Sequence, residues 1–134
     1  MWIYTQLTGE MYYSGPYGTV DESTLPFQGY CGKGSCKDNP AAESVVNEGP
    51  IPVGWYTIQA PVDTDEHGPY VLWLTPDPTN VMYGRSGFGI HGDSIDDPGS
   101  ASEGCIILDR NEREAIWGSG DNRLEVVSGQ VPNS

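Results

Sequence analysis

The chain has 134 residues, room for one domain with one core. Its 19 acidic and 6 basic residues give a formal net charge of −13, so it has no electrostatic reason to bind nucleic acid or an anionic membrane surface. Only 37% of residues are apolar, and 18 Gly and 11 Pro disfavour long helices, while 4 Trp and 8 Tyr supply enough buriable surface to exclude disorder.

Composition therefore predicts one mainly β, turn-rich domain over 1–134. Trp2 to Leu7 alternates in character and reads as a strand, turning at Thr8-Gly9-Glu10 into a return strand at Met11-Tyr12-Tyr13. Residues 14–50 read as a long surface excursion with one short helix near Ala41 to Val46; a loop this long is expected to make functional or stabilising contacts. Pro50 to Gly54 is a rigid lead-in to a strand at Trp55 to Ile58, and Tyr70 to Leu74 is another, closed by Pro76 and Pro78. Short strands follow at Gly87 to His91 and Cys105 to Leu108. Asp109 caps a helix from Arg110 to Trp117 that ends before Gly118 and Gly120, and Leu124 to Val127 is the last strand. No stretch approaches the roughly 20 apolar residues of a membrane helix. The first residues lack the basic and apolar regions of a signal peptide, which predicts a cytosolic protein, one exported without a Sec signal, or a mature form.

The three cysteines fall into a close pair and a distant third. Cys31 and Cys36 are expected to form one short disulfide, two reduced loop thiols being the alternative, and Cys105 is left as a free, reactive thiol. The informative segment runs from Arg85 to Arg110. It puts His91 at the end of one strand and Cys105 at the start of another. Neighbouring strands lie about 4.8 Å apart, so the returning loop brings imidazole and thiol within reach. Such a pair serves acyl transfer, because the thiolate is the nucleophile and the imidazole handles its proton. Gly104 leaves room for a substrate carbonyl and frees N–H groups for an oxyanion hole, and the Gly92 carbonyl is placed to orient the ring. From spacing alone, the alternative is a buried thiol and a satisfied imidazole. His67, in the polar loop Thr64 to Pro69, is expected to be solvent-exposed.

These residues resemble a known family. Gly89-Ile90-His91-Gly92 followed by Ser102-Glu103-Gly104-Cys105-Ile106 is similar to the signature of L,D-transpeptidases of the YkuD type, and Gly49 to Ile58 is similar to a strand of that family. The closer resemblance is to the L,D-transpeptidase and L,D-carboxypeptidase effectors of type VI secretion, through Gly29 to Gly34, Asn39-Pro40, Gly84 to Asp93 and Ser102 to Leu108. The resemblance implies a β-sandwich or barrel with one short helix after the cysteine. It implies Cys105 as nucleophile on the bond between meso-diaminopimelate and D-Ala in peptidoglycan stem peptides, His91 as base and acid, Gly92 as ring anchor, and N–H groups of Gly104 and Cys105 as the oxyanion hole. The acyl group then passes to water or to an amine. Ser102 shapes the pocket. No cofactor is implied. The implied partners are stem peptides, an immunity protein and secretion components, with action in the target cell's periplasm. A non-catalytic wall-binding module on the same scaffold is the alternative.

Two positions depart from the broad family. Glu103 stands where many members have a second His; a carboxylate there would raise the thiol pKa, so it is expected to face solvent or a substrate amine. Ile107 stands where many have Arg, which leaves Arg85 to anchor a substrate carboxylate. Asp93, Asp96, Asp97 and Glu103 read as a solvated acidic loop or as a seat for the free diaminopimelate amine; their spacing matches no standard calcium loop, and no metal is assigned. Tyr12, Tyr13, Tyr17, Tyr30 and Trp55 are expected in the core, and Arg110, Glu112, Arg113 and Glu114 on a solvated helix face.

Overall fold

Alternating burial defines the first strand: Trp2 and Tyr4 are fully buried while Ile3 and Thr5 are half-exposed. The computed structural model describes residues 1–129. Its strands are β1 (Trp2–Thr5), β2 (Glu10–Tyr13), β3 (Phe27–Gln28), β4 (Tyr30–Cys31), β5 (Gly54–Ile58), β6 (Val62–Thr64), β7 (Gly68–Pro76), β8 (Gly89–His91), β9 (Ile106–Ile107) and β10 (Arg123–Val127). One α-helix, α1, spans Arg110–Gly118. The architecture is mainly β, as composition predicts. The strands join in the order β3-β2-β1-β10-β5-β7-β8-β9-β4, with β6 paired to β7. The β1–β10 and β8–β9 pairs are parallel and the others antiparallel.

The two ends of that order, β3 and β4, are separated in the chain by Gly29 alone. The chain thus steps from one sheet edge to the other and nearly closes a barrel. Gly29 is needed at the seam: a Cβ there would sit 2.1 Å from the Ile107 carbonyl oxygen and 2.8 Å from Leu108 Cδ2. Its N–H donates to the Gly9 carbonyl at 2.8 Å.

Tyr56, Ile58, Leu72, Ile90, Ile106 and Leu124 fill the interior with Trp2 and Tyr4, each large apolar side chain contributing about 1.5–3 kcal/mol. Helix α1 adds Ile116. Its start is held by Glu112 Oε1, which accepts the Asp109 backbone N–H at 3.2 Å. The 3.6-residue period carries Arg113 onto the same stripe as Ile116, and both are buried. This corrects the placing of Arg113 on a solvated face.

Residues 14–50 are not a plain surface excursion. They form both sheet edges, and they bury Val20, Phe27, Cys31 and Ala42. The expected helix at 41–46 is a 3₁₀ turn, Pro40–Ala42, started by Asn39 Oδ1 accepting the Ala41 N–H at 3.1 Å. A separate turn follows, in which the N–H groups of Glu48 and Gly49 both donate to the Val45 carbonyl. Strand β6 was not expected; it forms a hairpin with β7 in which Thr64 Oγ1 accepts the His67 N–H at 2.8 Å. Among the described residues no helix is long and apolar enough to cross a membrane.

Candidate active site

Strands β8 and β9 pair in parallel with Ile90 opposite Ile106 and His91 opposite Ile107. One step back, Cys105 falls beside Gly89. The Gly89 N–H reaches the Cys105 sulfur, and Gly89 lies on the same face of β8 as His91, two residues on, which makes thiol and imidazole near neighbours. In antiparallel pairs a diagonal between neighbouring strands is roughly 7–8 Å, within reach of an aromatic ring.

The His91 ring is 3% exposed, and its Nδ1 lies 2.9 Å from the Gly92 carbonyl. With Nδ1–H donating there, the Nε2 lone pair is left to act as a base. Burial holds the His91 pKa below the usual imidazole range. The electrostatic influence of His67 and of the Arg113 guanidinium pushes the same way, while the Gly92 carbonyl and Asp93 oppose it. The Cys105 thiol is 8% exposed and lies 3.6 Å from the Gly87 carbonyl, to which it donates. Burial pushes its pKa up to about 11, Glu103 adding to the shift and the Gly89 N–H and Arg85 offsetting part of it. The resting pair is therefore a thiol beside a neutral imidazole.

A cleft of about 430 Å³ opens over Cys105, lined by Arg85, Gly87, Trp73, Glu66, His67 and Glu103. A second, of about 720 Å³, is lined by His91, Gly92, Asp65, Asp93, Asp96 and Arg113, with Glu66 and His67 again. His67 thus stands between the two. Its ring lies face to face with His91, centroids 4.5 Å apart and planes at 25°, and meets Trp73 edge-on at 5.7 Å. The expectation of an exposed His67 is corrected, because the β6–β7 hairpin folds it over β8.

The loop before Cys105 is tied by three buried donors. Arg85 Nη2 donates to the Glu103 carbonyl at 3.2 Å, the Cys31 thiol to the Gly104 carbonyl at 2.8 Å, and Ser102 Oγ to the Cys105 carbonyl at 2.6 Å. Gly104 has φ +136°, and a Cβ on it would lie 2.6 Å from Arg85 Nη2 and 2.8 Å from Phe88 Cε1, so only glycine fits.

Four expectations change here. Arg85 is no free carboxylate anchor: Nη1 donates to the carbonyls of Glu43 and Pro50, and Nη2 to those of Gly49 and Glu103. Ser102 is fully buried and bonded to Gly32, Gly104 and Cys105, so it shapes the loop without meeting substrate. The Gly104 N–H donates to Ser102 Oγ at 3.1 Å and is not left for an oxyanion. Cys31 and Cys36 are both free thiols; Cys31 turns into the core, where its sulfur also accepts the Ile51 N–H at 3.1 Å.

Asp93 closes its own loop, accepting from Tyr30 Oη (2.6 Å), the Ser94 N–H (2.8 Å) and the Gly99 N–H (3.0 Å), so it is not a free substrate contact. Glu103 is exposed at the cleft edge, its carboxylate 3.8 Å from Lys33 Nζ. Tyr13 packs against the core on Trp2, centroids 4.6 Å apart, whereas Tyr12 and Tyr17 are exposed and Tyr30 and Trp55 half-buried, so these four are not core residues. Among the described residues no group of three His, Cys, Asp or Glu is placed to hold a metal ion.

A family model described as the Tlde1 domain matches residues 26–130. The chain belongs to the Tlde1 domain family. Tlde1 domains are type VI secretion effectors of the L,D-transpeptidase-like class. The Tlde1 match runs from just before β3 through β10, so Cys105, His91, His67 and Arg113 all lie inside it. No curated protein and no solved structure matches the chain.

Proposed function

We propose that this Tlde1 domain is a cysteine enzyme that cuts peptidoglycan tetrapeptide stems between meso-diaminopimelate and D-Ala. One observation carries the reading: the β8–β9 pairing brings Cys105, immediately before β9, close to His91 at the end of β8, with an open cleft above the sulfur. His91 Nε2 takes the thiol proton as Cys105 Sγ attacks the carbonyl carbon. The oxyanion is held by the Cys105 N–H, whose peptide is anchored at its other end by Cys31. The tetrahedral adduct then collapses: the C–N bond breaks, and D-Ala leaves with the proton from His91. Water or an amine attacks the thioester, loses a proton to His91, and the freed thiolate recovers that proton. Hydrolysis gives carboxypeptidase activity, and an amine gives transpeptidation or D-amino-acid exchange.

As an effector, the protein is read as acting in the periplasm of a target cell and as countered there by an immunity protein. The test is incubation with disaccharide-tetrapeptide followed by mass spectrometry. Release of D-Ala with a tripeptide product, lost in Cys105→Ala, supports the reading. Unchanged muropeptides at every dose of folded protein overturn it, and wall binding that is indifferent to Cys105→Ala would favour a binding module.

A further inference from the structure

Arg113 is the cation of this molecule whose surroundings explain it least. Its side chain leaves α1 toward β8 and is 5% exposed. Nη1 donates to the carbonyls of Pro69 (2.9 Å) and Tyr70 (2.8 Å). Nε is buried without a partner. Nη2 makes no hydrogen bond among the described residues and lies against Gly92, 3.1 Å from where a Cβ there would stand. No carboxylate of the described residues lies within ion-pair distance of it, Asp109 and Glu114 acting on it only from farther off. Arg85, the other buried arginine, differs: both its Nη atoms are fully engaged with backbone carbonyls. A buried guanidinium without an anion is costly to keep, and its planar fork matches a carboxylate.

Arg113 lines the second cleft, beside His91 and Gly92. That wall also carries four carboxylates, Asp65, Glu66, Asp93 and Asp96. Asp93 is closed into its loop, but Asp65 and Asp96 make no side-chain hydrogen bond among the described residues and face the same space. A simple anion would be repelled by that rim. A group carrying a carboxylate and an ammonium on one carbon satisfies both parts.

We propose that this cleft seats the zwitterionic end of an amino acid, its carboxylate on Arg113 and its ammonium toward Asp65 and Asp96. Resting on the acyl-transfer reading above, the seat lies next to the catalytic imidazole and across His67 from Cys105.

The experiment uses the Cys105→Ala protein, which binds without turnover, and reads D-alanine binding by calorimetry and by the His91 ring signals. D-Alaninamide lacks the carboxylate and propionate lacks the ammonium; each is expected to bind at least tenfold more weakly. Arg113→Met keeps the aliphatic stem and is expected to lose at least tenfold, with Arg113→Lys between. Asp65→Asn with Asp96→Asn is expected to weaken D-alanine while leaving propionate unchanged or tighter, a readout that does not depend on Arg113→Met folding. Equal binding of D-alanine and D-alaninamide, equal binding by folded Arg113→Met, or no saturable D-alanine binding overturns the proposal. Because binding is read without Cys105, muropeptide turnover with no such binding removes this inference alone. Binding without turnover in the intact protein removes the proposed reaction instead.

Discussion

The Cys31 thiol donates to the Gly104 carbonyl, 2.8 Å away, at the far end of the peptide unit whose N–H belongs to Cys105. A residue 73 positions from Gly104 thus fixes the orientation of the peptide beside the nucleophile. Cys31→Ala removes that donor and also the acceptor of the Ile51 N–H, leaving buried backbone groups unpaired at about 1–3 kcal/mol each. Chemical denaturation of the variant is expected to show a loss in that range. Turnover on tetrapeptide is expected to fall mainly in kcat, with KM little changed, and an unchanged kcat would separate Cys31 from the oxyanion peptide.

Thiol chemistry distinguishes the three cysteines. Denatured, unreduced protein is expected to show three free thiols by titration, since the structure pairs none of them. In the native protein, alkylation followed by peptide mapping is expected to mark the half-buried Cys36 first and Cys105 through its cleft. Cys31, fully buried with its pKa raised by burial, is expected to react only on unfolding. Two thiols missing from the count would restore a disulfide.

The pH dependence has a definite sign. Burial lowers the His91 pKa, so the neutral base persists below the usual imidazole value of about 6.5. The acid limb of kcat/KM is expected below that pH, and activity holds upward toward the thiol range near 11. A proton on His67 repels one on His91 across the 4.5 Å stack. His67→Phe keeps the stacked ring and removes that charge, so the His91 midpoint is expected to rise. The Arg113 and Asp93 charges are the same in both proteins and cancel in the comparison. The chain has 2 His, so the variant leaves one imidazole to follow by NMR. A fixed or lowered midpoint would show that His67 carries no charge influence on the base.

Arg85 joins the 43–50 segment to the cysteine loop through four carbonyls. Arg85→Lys keeps the charge but presents a single ammonium in place of the planar fork. It is expected to lose about 2–4 kcal/mol of stability by denaturant titration and tenfold or more in turnover. Near-parent stability for Lys would mean that charge alone suffices there.

Much of the candidate site was legible because it is local. Cys105 follows Gly104 just before a strand, and His91 ends a strand before Gly92; both follow from short patterns. The helix after Asp109 was legible from its cap. His67 and Arg113 were not. A histidine in a polar hairpin reads as exposed until the hairpin's fold over β8 is known. The charge-rich run around Arg113 reads as a solvated face until Ile116 fixes which way the helix turns. Cys31 and Cys36 suggested a disulfide by closeness, a signal blind to the direction in which each sulfur points.

The sequence by itself determined the class of the chain, most of its strands and one helix, and the candidate pair Cys105 and His91 with the glycines around them, because those depend on composition and on neighbours within a few residues. Only the tertiary structure decided which polar groups are occupied and which remain open. Arg85, Ser102, Asp93 and the Gly104 N–H have their bonding taken up within the fold, while Arg113 keeps a free edge toward a cleft. The physical reason is range: a hydrogen bond is satisfied by whatever the fold brings within about 3 Å, and here the decisive partners come from distant parts of the chain.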